Sequence, residues 1–232
     1  VKVPNLYALE VANTVAEQKQ GGGSFSDSIE RLRFGVTESG WMPFIGSDKQ
    51  GVLTGISGDL VHGLSDRYGI DIEVVKYLNF SELMEGLSKG EIDFSSDTVA
   101  TEDRKSRYAF STSYIKSHHG IITHQEKGNF LSLESLEGKS VAIEKGFFRV
   151  KDLEDNYPEI NLIKVDSTVE ALRSISDGDA DAYIGNLEVA NYLISQELIP
   201  SLKIDATLQS QTKQLSFSVR PGYDGLVKML NN

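Results

Sequence analysis

The chain has 232 residues with 34 acidic and 23 basic side chains, which gives a formal net charge of −11 at pH 7. This charge argues against a nucleic-acid partner and against a general affinity for anionic membrane surfaces. No cysteine is present, which excludes disulfides, thiol catalysis and thiolate metal sites. No apolar run approaches the roughly 18 residues of a membrane span, and the start lacks a basic region followed by an apolar one. We therefore expect a soluble protein.

Residues 1–30 look appended to the rest of the chain. Asn5 is placed to cap a helix that ends near Gln20. The predicted apolar stripe of this helix consists of Leu6, Leu9, Ala12, Val15 and Ala16. Gly21–Ser24 then breaks the helix with the composition of a flexible tether, either an engineered join or a natural linker. This segment is therefore left out of the predicted fold.

From Arg31 onwards, the first half alternates between strand and helix patterns. The apolar spacing predicts strands over 32–37, 72–77 and 92–95, a turn or hairpin over 51–55, and helices over 57–68 and 80–88. In the first of these helices, Leu60, Val61 and Leu64 are expected to face inward. This order is typical of a βαβαβ unit in an open sheet.

The second half restarts the alternation after a long segment, residues 109–123, that is predicted to be extended. The pattern then predicts strands over 140–143, 160–165 and 182–184, helices over about 147–155, 168–176 and 187–196, an extended crossing at 213–219 and a last helix from Tyr223. The whole chain after the tether is therefore expected to be α/β.

The two halves also resemble each other at a constant offset of 88 residues. Val74–Asp93 aligns without a gap on Leu162–Asp181, and five of the twenty positions are identical. The identical pairs are Lys76/Lys164, Glu82/Glu170, Ser88/Ser176, Gly90/Gly178 and Asp93/Asp181. Each copy has the order strand, helix, glycine, strand, although a generic αβ unit explains part of this similarity. The repeat predicts two similar lobes, and a cleft between two lobes is a preferred ligand site.

Residues 88–104 join the end of the first unit to a charged turn. The strand is predicted to end at Ser96–Thr98, and the carboxyl ends of strands in open α/β sheets are where ligand crevices form. Thr101 is placed as the N-cap of the following turn, whose first residues are acidic. Arg104 in that turn is either a clamp for an anionic group, since a guanidinium matches a carboxylate, or a solvated surface cation.

Eight motifs in order carry a resemblance to a known family. They are RLRFGVTESGWMPF, GVLTGISGDLVHGLSDRYG, GEIDF, TEDR, FSTSY, LEGKSVAIEKG, DADAYIGN and LSFSVR, and they span roughly residues 31–230. In this order the chain resembles the type II periplasmic solute-binding proteins, extracellular solute-binding protein family 3. The resemblance implies an α/β Venus flytrap of two lobes, each an open and mostly parallel sheet with flanking helices, joined by two crossing hinge strands. Lobe 1 is expected to comprise residues 31–115 and 210–232, and lobe 2 residues 116–209.

The resemblance also implies a ligand site between the lobes. In amino-acid-binding members the arginine of the turn that matches TEDR takes the ligand carboxylate, and that residue is Arg104 here. The other positions expected from lobe 1 are Glu38, Trp41, Phe44, Ser96, Asp97, Thr98, Thr101 and Tyr114. Trp41 is either a stacking face for the ligand or a plain core residue.

In lobe 2, the resemblance implies ligand contacts from Gly146, Phe147, Phe148 and Asn186. The loop at Gly146 donates backbone N–H groups in many members, and two phenylalanines here stand where small hydroxyl residues are frequent, which indicates a more aromatic wall. Asn186 stands where amino-acid binders often hold the ligand's ammonium group with an aspartate. Because Asn186 has no charge, Asp97 or Glu38 would have to replace it.

No cofactor or metal is expected. His118 and His119 are adjacent in an extended segment, so their side chains should point to opposite faces, and His124 does not restore a metal-ligand spacing. The pair Glu102-Asp103 is interpreted as complementing the helix dipole, not as acid/base machinery.

The resemblance implies one preferred function and two alternatives. The stretch AYIGNLEVANYLI, and the end of the chain soon after the helix from Tyr223, are similar to the flytrap modules of membrane-bound sensor kinases and cyclases. We therefore expect a bacterial periplasmic sensor module, not itself an enzyme, that closes on a carboxylate-bearing, amino-acid-like ligand. Its expected protein partner is a membrane-bound signalling protein or the remainder of the same receptor.

The first alternative is a free binding protein of an amino-acid importer of the ABC type. The second is an enzyme like the cyclohexadienyl dehydratases, which share this fold, although nothing in the sequence marks a general base. The identity of the ligand, the formation of a homodimer and the sign of the response stay open.

Overall fold

The computed structural model describes residues 29–196, 199, 201–208 and 213–232. The predicted N-terminal helix before Gln20 and the tether Gly21–Ser24 lie outside the described residues. Within the described ranges, no helix is both long and apolar enough to cross a membrane. In the same ranges, no group of three or more His, Asp or Glu side chains is placed to hold a metal ion.

The first half of the chain and its C-terminal segment form one sheet with its helices, which we name lobe 1. Its strands are β1 (Arg31–Thr37), β2 (Gly46–Ser47), β3 (Leu53–Thr54), β4 (Asp71–Tyr77), β5 (Phe94–Val99), β6 (Ala109–Phe110), β7 (Ile115–Ser117) and β13 (Lys213–Val219). Its helices are α1 (Ile56–Tyr68), α2 (Phe80–Lys89), α3 (Glu102–Lys105) and α7 (Asp224–Leu230). The main sheet has the order β4-β1-β5-β13-β6, β7 also pairs with β13, and β2 and β3 form a separate hairpin.

The segment between β7 and β13 forms a second sheet with its helices, which we name lobe 2. Its strands are β8 (His119–His124), β9 (Ser140–Glu144), β10 (Asn161–Val165), β11 (Ala182–Asn186) and β12 (Leu202–Thr207). Its helices are α4 (Val150–Asn156), α5 (Thr168–Ser176) and α6 (Leu187–Ser195), with a 3₁₀ turn at Glu134–Leu136. The sheet order is β10-β9-β11-β8-β12.

Two separate sheets of this kind confirm the predicted two-lobed α/β fold. The expectation that each sheet is mostly parallel was wrong, because both sheets are mixed: β13 returns antiparallel in lobe 1 and β8 enters antiparallel in lobe 2. The pairs of β1 with β4 and β5 are parallel, and β13 runs antiparallel to β5, β6 and β7. In lobe 2, β9 is parallel to β10 and β11, whereas β8 is antiparallel to β11 and β12. The chain passes between the lobes twice, from β7 to β8 and from β12 to β13. The lobe boundaries given above remain predictions to the residue.

The sheet of lobe 2 is buried on both faces. Successive residues of β9 belong to different apolar clusters, because Val141 and Ile143 pack on one side and Ala142 packs on the other. All three side chains are fully buried. A sheet covered on both faces in this way needs helices on both sides, which explains the continuously apolar strand.

In lobe 1, aromatic rings lead from the core toward the gap between the lobes. The ring of Phe34 lies 4.9 Å from that of Phe94, Phe94 lies 6.1 Å from Phe217, and Phe217 lies 4.9 Å from Tyr114. Such contacts stabilise a core by about 0.5–1.5 kcal/mol per pair beyond burial alone. The Tyr114 hydroxyl is thereby held in a defined position beside β5.

The predicted end of one strand was wrong. The strand was predicted over 92–95 with its end at Ser96–Thr98, but β5 runs from Phe94 to Val99 because its last residues pair with β13, Thr98 with Ser216 and Val99 with Leu215. The register shifts before Ser218, and Asp97 at this irregularity has a φ of 57°. A bulge of this kind re-aims a side chain, and here it affects Asp97.

Three smaller predictions also need correction. Leu60 is 42% exposed, because α1 packs on the sheet through Ser57, Val61 and Leu64 and Leu60 lies at the edge of that face. The extended segment 109–123 is divided into β6, β7 and β8, which join different sheets. The helix expected from about residue 147 begins at Val150, so the two phenylalanines before it lie in a turn.

A candidate ligand site between the two lobes

A cavity lies between the lobes, and side chains from both lobes line it. Lobe 1 contributes, among others, Trp41, Phe80, Ser96, Asp97 and Arg104, and lobe 2 contributes His119, Glu144, Phe147, Phe148, Asp166, Ser167 and Thr168. Its volume is about 80 Å³, several times the roughly 10–15 Å³ that one buried water needs. The cavity therefore has room for a small polar molecule that touches both lobes.

Arg104 is a buried cation in the wall of this cavity. Thr101 caps α3 by accepting a hydrogen bond from the Arg104 backbone N–H at 3.3 Å, as the sequence predicted. The guanidinium donates to the backbone carbonyls of Val99 at 2.9 Å and Gly146 at 2.7 Å, and it lies 5.2 Å from the ring centroid of Phe80. Burial lowers the pKa of Arg104 to about 10, so the group stays charged at neutral pH.

The two lobes touch beside Arg104. Gly146 in lobe 2 has a φ of +80°, and a Cβ there would lie 3.0 Å from the Cα of Ser81 in lobe 1, so this approach requires glycine. Asn79 at the start of α2 donates to Asp166 across the gap at 2.8 Å, and Lys145 lies 2.8 Å from the same carboxylate oxygen. The lobes are therefore held together by direct polar contacts next to the cavity.

The carboxyl group of Asp97 is enclosed by hydroxyl groups on the lobe 1 side. Ser57 and Tyr114 donate to Oδ1 at 2.6 and 2.8 Å, and Ser96 donates to Oδ2 at 2.7 Å. Desolvation raises the pKa of Asp97, and the hydrogen bonds from Ser57, Ser96 and Tyr114 oppose that rise. Burial also raises the pKa of the Tyr114 hydroxyl, which therefore stays protonated and available as a donor.

Glu144 is the matching buried acid of lobe 2. It is 8% exposed, and its Oε1 accepts hydrogen bonds from the hydroxyls of Thr168 and Tyr183. Its Oε2 is buried and has no hydrogen-bond partner among the described residues. Desolvation raises the pKa of Glu144, and the donors Thr168 and Tyr183, with a smaller contribution from Trp41, lower it. A polar group of a ligand could satisfy this oxygen.

An aromatic corner closes the cavity on the lobe 2 side. The rings of Phe147 and Phe148 lie 4.8 Å apart, and both approach the imidazole of His119 edge-on, at 5.4 and 4.9 Å. Burial and nearby cations lower the pKa of His119 to about 3, so the ring is neutral at physiological pH. The two phenylalanines therefore form the aromatic wall that the sequence indicated.

A family model matches nearly all of the described chain. The model of the bacterial extracellular solute-binding proteins, family 3, covers residues 32–232. This chain belongs to that family. The match confirms the resemblance carried by the eight motifs, and the inter-lobe cavity lies where a two-lobed binding protein holds its ligand.

Three relatives illustrate the range of family 3. The chain is 24% identical over 258 residues to the virulence sensor protein BvgS of Bordetella bronchiseptica, across 100% of this chain and 21% of BvgS. It is 27% identical over 237 residues to the "Probable amino-acid-binding protein YxeM" of Bacillus subtilis, across 100% of this chain and 89% of YxeM. The arginine-bound form of truncated ArgBP from T. maritima has a TM-score of 0.79 at 25% identity, across 87% of this chain and 93% of ArgBP.

The chain spans about a fifth of the length of BvgS, the relative with the longest alignment of these three. It is thus a family 3 domain related both to sensor proteins and to amino-acid-binding proteins. Family 3 consists of extracellular solute-binding proteins, and the relatives named above are binding and sensor proteins.

The structure places about half of the site residues expected in this family 3 member in the cavity wall. Those in the wall are Trp41, Ser96, Asp97, Arg104, Phe147 and Phe148. Those outside the wall are Glu38, Phe44, Thr98, Thr101, Tyr114, Gly146 and Asn186. Three of these still act on the wall indirectly, because Thr101 caps the turn of Arg104, Tyr114 bonds Asp97 and Gly146 accepts from Arg104.

The other four have local structural explanations. Glu38 is exposed, and Phe44 is a core residue 1% exposed. Thr98 is fully buried beside Ser218, with 3.1 Å between their hydroxyls. Asn186 is fully buried, and its side-chain oxygen caps α6 by accepting from Val189 N at 2.8 Å. In this arrangement neither Asn186 nor Glu38 reaches the cavity, so a ligand ammonium group would meet Asp97 or Glu144.

Sequence reasoning missed several wall residues of lobe 2. Glu144 is the last residue of β9, and Asp166, Ser167 and Thr168 directly follow β10. The rule that drew attention to the end of β5, that ligand crevices form at the carboxyl ends of strands, applies equally to β9 and β10. His119 carried no such signal, because it begins a strand that runs in the opposite direction.

Proposed function

We propose that this family 3 domain is the extracytoplasmic sensor module of a membrane-anchored receptor. In this proposal, the module closes on a carboxylate-bearing, amino-acid-like ligand and passes its closure to a signalling protein or to the rest of its own receptor. The alignment with a virulence sensor protein over the whole of this chain supports the sensor role. The likeness to an arginine-bound protein and to YxeM supports the ligand class.

The observation that carries the ligand proposal is the setting of Arg104. It is a buried guanidinium in the cavity wall, and within the described ranges it forms no ion pair. Within the described part of the chain its guanidinium donates only to backbone carbonyls. A carboxylate would satisfy a guanidinium far better through two parallel charge-assisted bonds. A ligand carboxylate is therefore the natural partner of Arg104.

Closure follows from the two-sided wall. A ligand shifts an equilibrium between open and closed forms only by binding one form more tightly. Contacts to Arg104 in lobe 1 and to Glu144 or Phe147 in lobe 2 are available together only when the lobes meet. The bond from Arg104 to Gly146 supports this proposal, because it joins the two lobes directly beside the cavity.

The test compares two substitutions of Arg104 with a matched control. Arg104→Ala should weaken binding of a carboxylate ligand by about 100-fold or more, and Arg104→Lys by at least about 10-fold, because lysine keeps the charge without the planar fork. Arg107→Ala is the control, because Arg107 follows in the same turn, is largely exposed and pairs with Asp103.

Binding would be measured by a thermal-shift screen of amino acids, carboxylates and amines, because a ligand raises stability by RT ln(1 + [L]/Kd), and then by calorimetry on the hits. Unchanged affinity in both Arg104 variants would rule out the clamp.

A second candidate function is a free binding protein of an amino-acid importer. The observation that favours it is the coverage of YxeM, since this chain aligns with 89% of that protein. The full-length gene distinguishes the two functions. A membrane-spanning helix with a kinase or cyclase domain downstream supports the sensor, and neighbouring permease genes support the importer.

A further inference from the structure

Arg149 is a second buried guanidinium, and it lacks the partners that Arg104 has. It lies in the turn before α4 and is 5% exposed. Its Nε and Nη2 atoms are buried without a hydrogen-bond partner among the described residues. Its nearest recorded acid is Asp152, with 4.0 Å between Nη1 and Oδ2. Burying a cation with two nitrogens unpaired is unfavourable, so this arrangement calls for an additional group.

Lys213, at the start of the returning strand β13, lies beside the same ring as Arg149. Its Nζ is 5.5 Å from the ring centroid of Phe148, and the Cζ of Arg149 is 5.4 Å from it. Among the described residues Lys213 has no ion pair. Desolvation lowers the pKa of Arg149, and desolvation together with Arg149 lowers the pKa of Lys213, so the charge of Asp152 offsets neither shift fully.

His119 adds a neutral donor to this cluster, as the hydrogen bonds behind it show. The Asn186 side-chain oxygen accepts from Val189 N, so its Nδ2 must donate to the Ser117 hydroxyl, 2.7 Å away. Donation from the Ser117 hydroxyl to His119 Nε2, 3.3 Å away, is the arrangement that gives the Ser117 proton an acceptor among the described residues. We assign this tautomer, in which Nε2 accepts and the ring proton resides on Nδ1, an atom that is buried without a partner among the described residues.

The side chains of His119, Arg149 and Lys213 all lie beside the ring of Phe148. Phe148 and His119 line the cavity, whereas Arg149 and Lys213 lie against Phe148 without lining it. The cluster is thus next to the cavity, on the hinge side of lobe 2. An excess of cations here does not follow from composition, because the chain as a whole carries a net charge of −11.

We infer that Arg149, His119 and Lys213 form a second anion-binding position beside the cavity, and that the ligand carries two carboxylates, as an acidic amino acid or another dicarboxylate does. This inference rests on the proposed function, in which Arg104 takes the first carboxylate. The ammonium group of an acidic amino acid would then meet Asp97 or Glu144, the two acids of the wall. The Phe148 ring must shift for the second carboxylate to reach Arg149, and its place in a turn before α4 permits this.

The test uses pairs of compounds that differ only in the distal carboxylate: glutamate with glutamine, aspartate with asparagine, and succinate with succinamate. In the unaltered protein, calorimetry should show that the acid of at least one pair binds about tenfold or more tightly than its amide. In Arg149→Gln the two members of that pair should bind within about threefold of each other. Lys151→Gln is the matched control, because Lys151 lies two residues later in α4, is 82% exposed and pairs with Asp155. This variant should keep the preference.

The outcomes separate this inference from the proposed function. If no pair shows a preference for the acid, or if the preference survives in Arg149→Gln, the second position is wrong. If at the same time Arg104→Ala abolishes binding of both members, the proposed function stands alone. If Arg104→Ala changes nothing, both ideas fail.

A second measurement needs no organic ligand. Sulfate, added to protein labelled with ¹⁵N at arginine and histidine, should shift the Arg149 Nε and His119 Nδ1 resonances in the unaltered protein. Absence of any shift overturns the anion position. If sulfate shifts these resonances but no pair shows a preference for the acid, the anion position binds a free inorganic anion. That result overturns its assignment to the ligand.

The stability of Arg149→Met gives a further check on folding. Because two nitrogens of the guanidinium are buried without a hydrogen-bond partner among the described residues, its replacement by an apolar side chain of similar length should leave the melting temperature unchanged or higher. A lower melting temperature would show that Arg149 has a structural role, which contradicts the inference.

Discussion

Each lobe contains one copy of the repeated αβ unit, which is β4 with α2 in lobe 1 and β10 with α5 in lobe 2. The two copies share their capping hydrogen bonds as well as the order of their elements. Asn79 caps α2 by accepting from Glu82 N at 3.0 Å, and Ser167, exactly 88 positions later, caps α5 by accepting from Glu170 N at 3.2 Å. Both units end in a glycine with positive φ, as the identical glycines of the repeat require. The similarity is therefore one of local mechanism as well as of sequence.

Each unit ends at an aspartate, Asp93 or Asp181, that accepts a hydrogen bond from a backbone N–H group. The two aspartates differ in exposure and in their ion pairs. Asp93 accepts from the backbone N–H of Arg33 at 2.7 Å, and Asp181 accepts from that of Ser140 at 3.0 Å. The Asp93 side chain is 6% exposed and also pairs with the guanidinium groups of Arg33 and Arg220 at 3.0 and 2.9 Å. The Asp181 side chain is 35% exposed and pairs with Lys127.

The lobes differ most where they face the cavity. The hydroxyl donors around Asp97 satisfy both of its oxygens, whereas Glu144 has one oxygen without a partner among the described residues. The guanidinium of Arg104 in lobe 1 donates to two backbone carbonyls, whereas Nε and Nη2 of Arg149 in lobe 2 have no partner among the described residues. The repeat therefore preserves the strands, helices and caps of the two lobes, whereas the side chains at the ends of the strands differ between them.

The largest effect on stability is expected from replacing the aspartates at the ends of the two units, Asp93 and Asp181. Asp93→Ala should lower the free energy of unfolding by about 3 kcal/mol, because it leaves two arginines beside a nearly buried position without their partner. Asp181→Ala should lower it by only about 1 kcal/mol, because that pair is more exposed. Urea denaturation measures both values, and equal losses would show that the two positions are equivalent after all.

A smaller effect concerns pH and the two acids of the cavity wall. Burial raises the pKa of Asp97 and of Glu144, so the folded protein holds these protons to a higher pH than the unfolded chain, in which such groups titrate near pH 4. Their contribution to stability is therefore full at low pH and is lost as the pH rises above about 4, at no more than about 1.4 kcal/mol per pH unit for one proton.

Glu144→Gln should remove most of this dependence, and Asp97→Asn should remove less of it, because Asp97 is partly exposed and bonded at both oxygens. Denaturation of both variants and of the unaltered protein between pH 4.5 and pH 7 gives the slopes. The reasoning fails if Glu144→Gln has the same slope as the unaltered protein.

The smallest effect distinguishes the loss of a helix N-cap from the loss of a hydrogen bond between the lobes. Asn79→Ala and Ser167→Ala should each cost about 1 kcal/mol as lost N-caps. Asn79→Ala also removes the bond to Asp166 across the gap, so it alone should populate a more open form with a larger radius of gyration in small-angle scattering. Equal radii for the two variants would show that this bond does not hold the lobes together.

Much of the fold could be predicted because short-range patterns decide it. The bounds of α5 and β13 agree with the sequence to the residue, and the Thr101 cap was predicted together with its partner turn. Helical periodicity, N-caps and glycine stops act within a few residues, so they can be recognised in the sequence itself. The repeat extended this local information to two lobes.

The site was predicted less completely. Arg104 and Asp97 could be found because a strand end and a capped turn precede them, and both line the cavity. Asn186 lies at the expected helix start, but its side chain is committed to the helix cap and to Ser117. These two hydrogen bonds keep Asn186 out of the wall, and Glu144 at the end of β9 lines it instead.

By itself, the sequence determined the alternation of strands and helices, the paired units and the position of Arg104 in its turn. The tertiary structure alone decided that β5 continues along β13, that Gly146 approaches Ser81, and that His119 and Arg149 share one phenylalanine. The reason is physical: periodicity and capping arise from neighbours along the chain, whereas the groups around a cavity between two lobes come from segments far apart in sequence, and their contacts exist only once both sheets have formed and met.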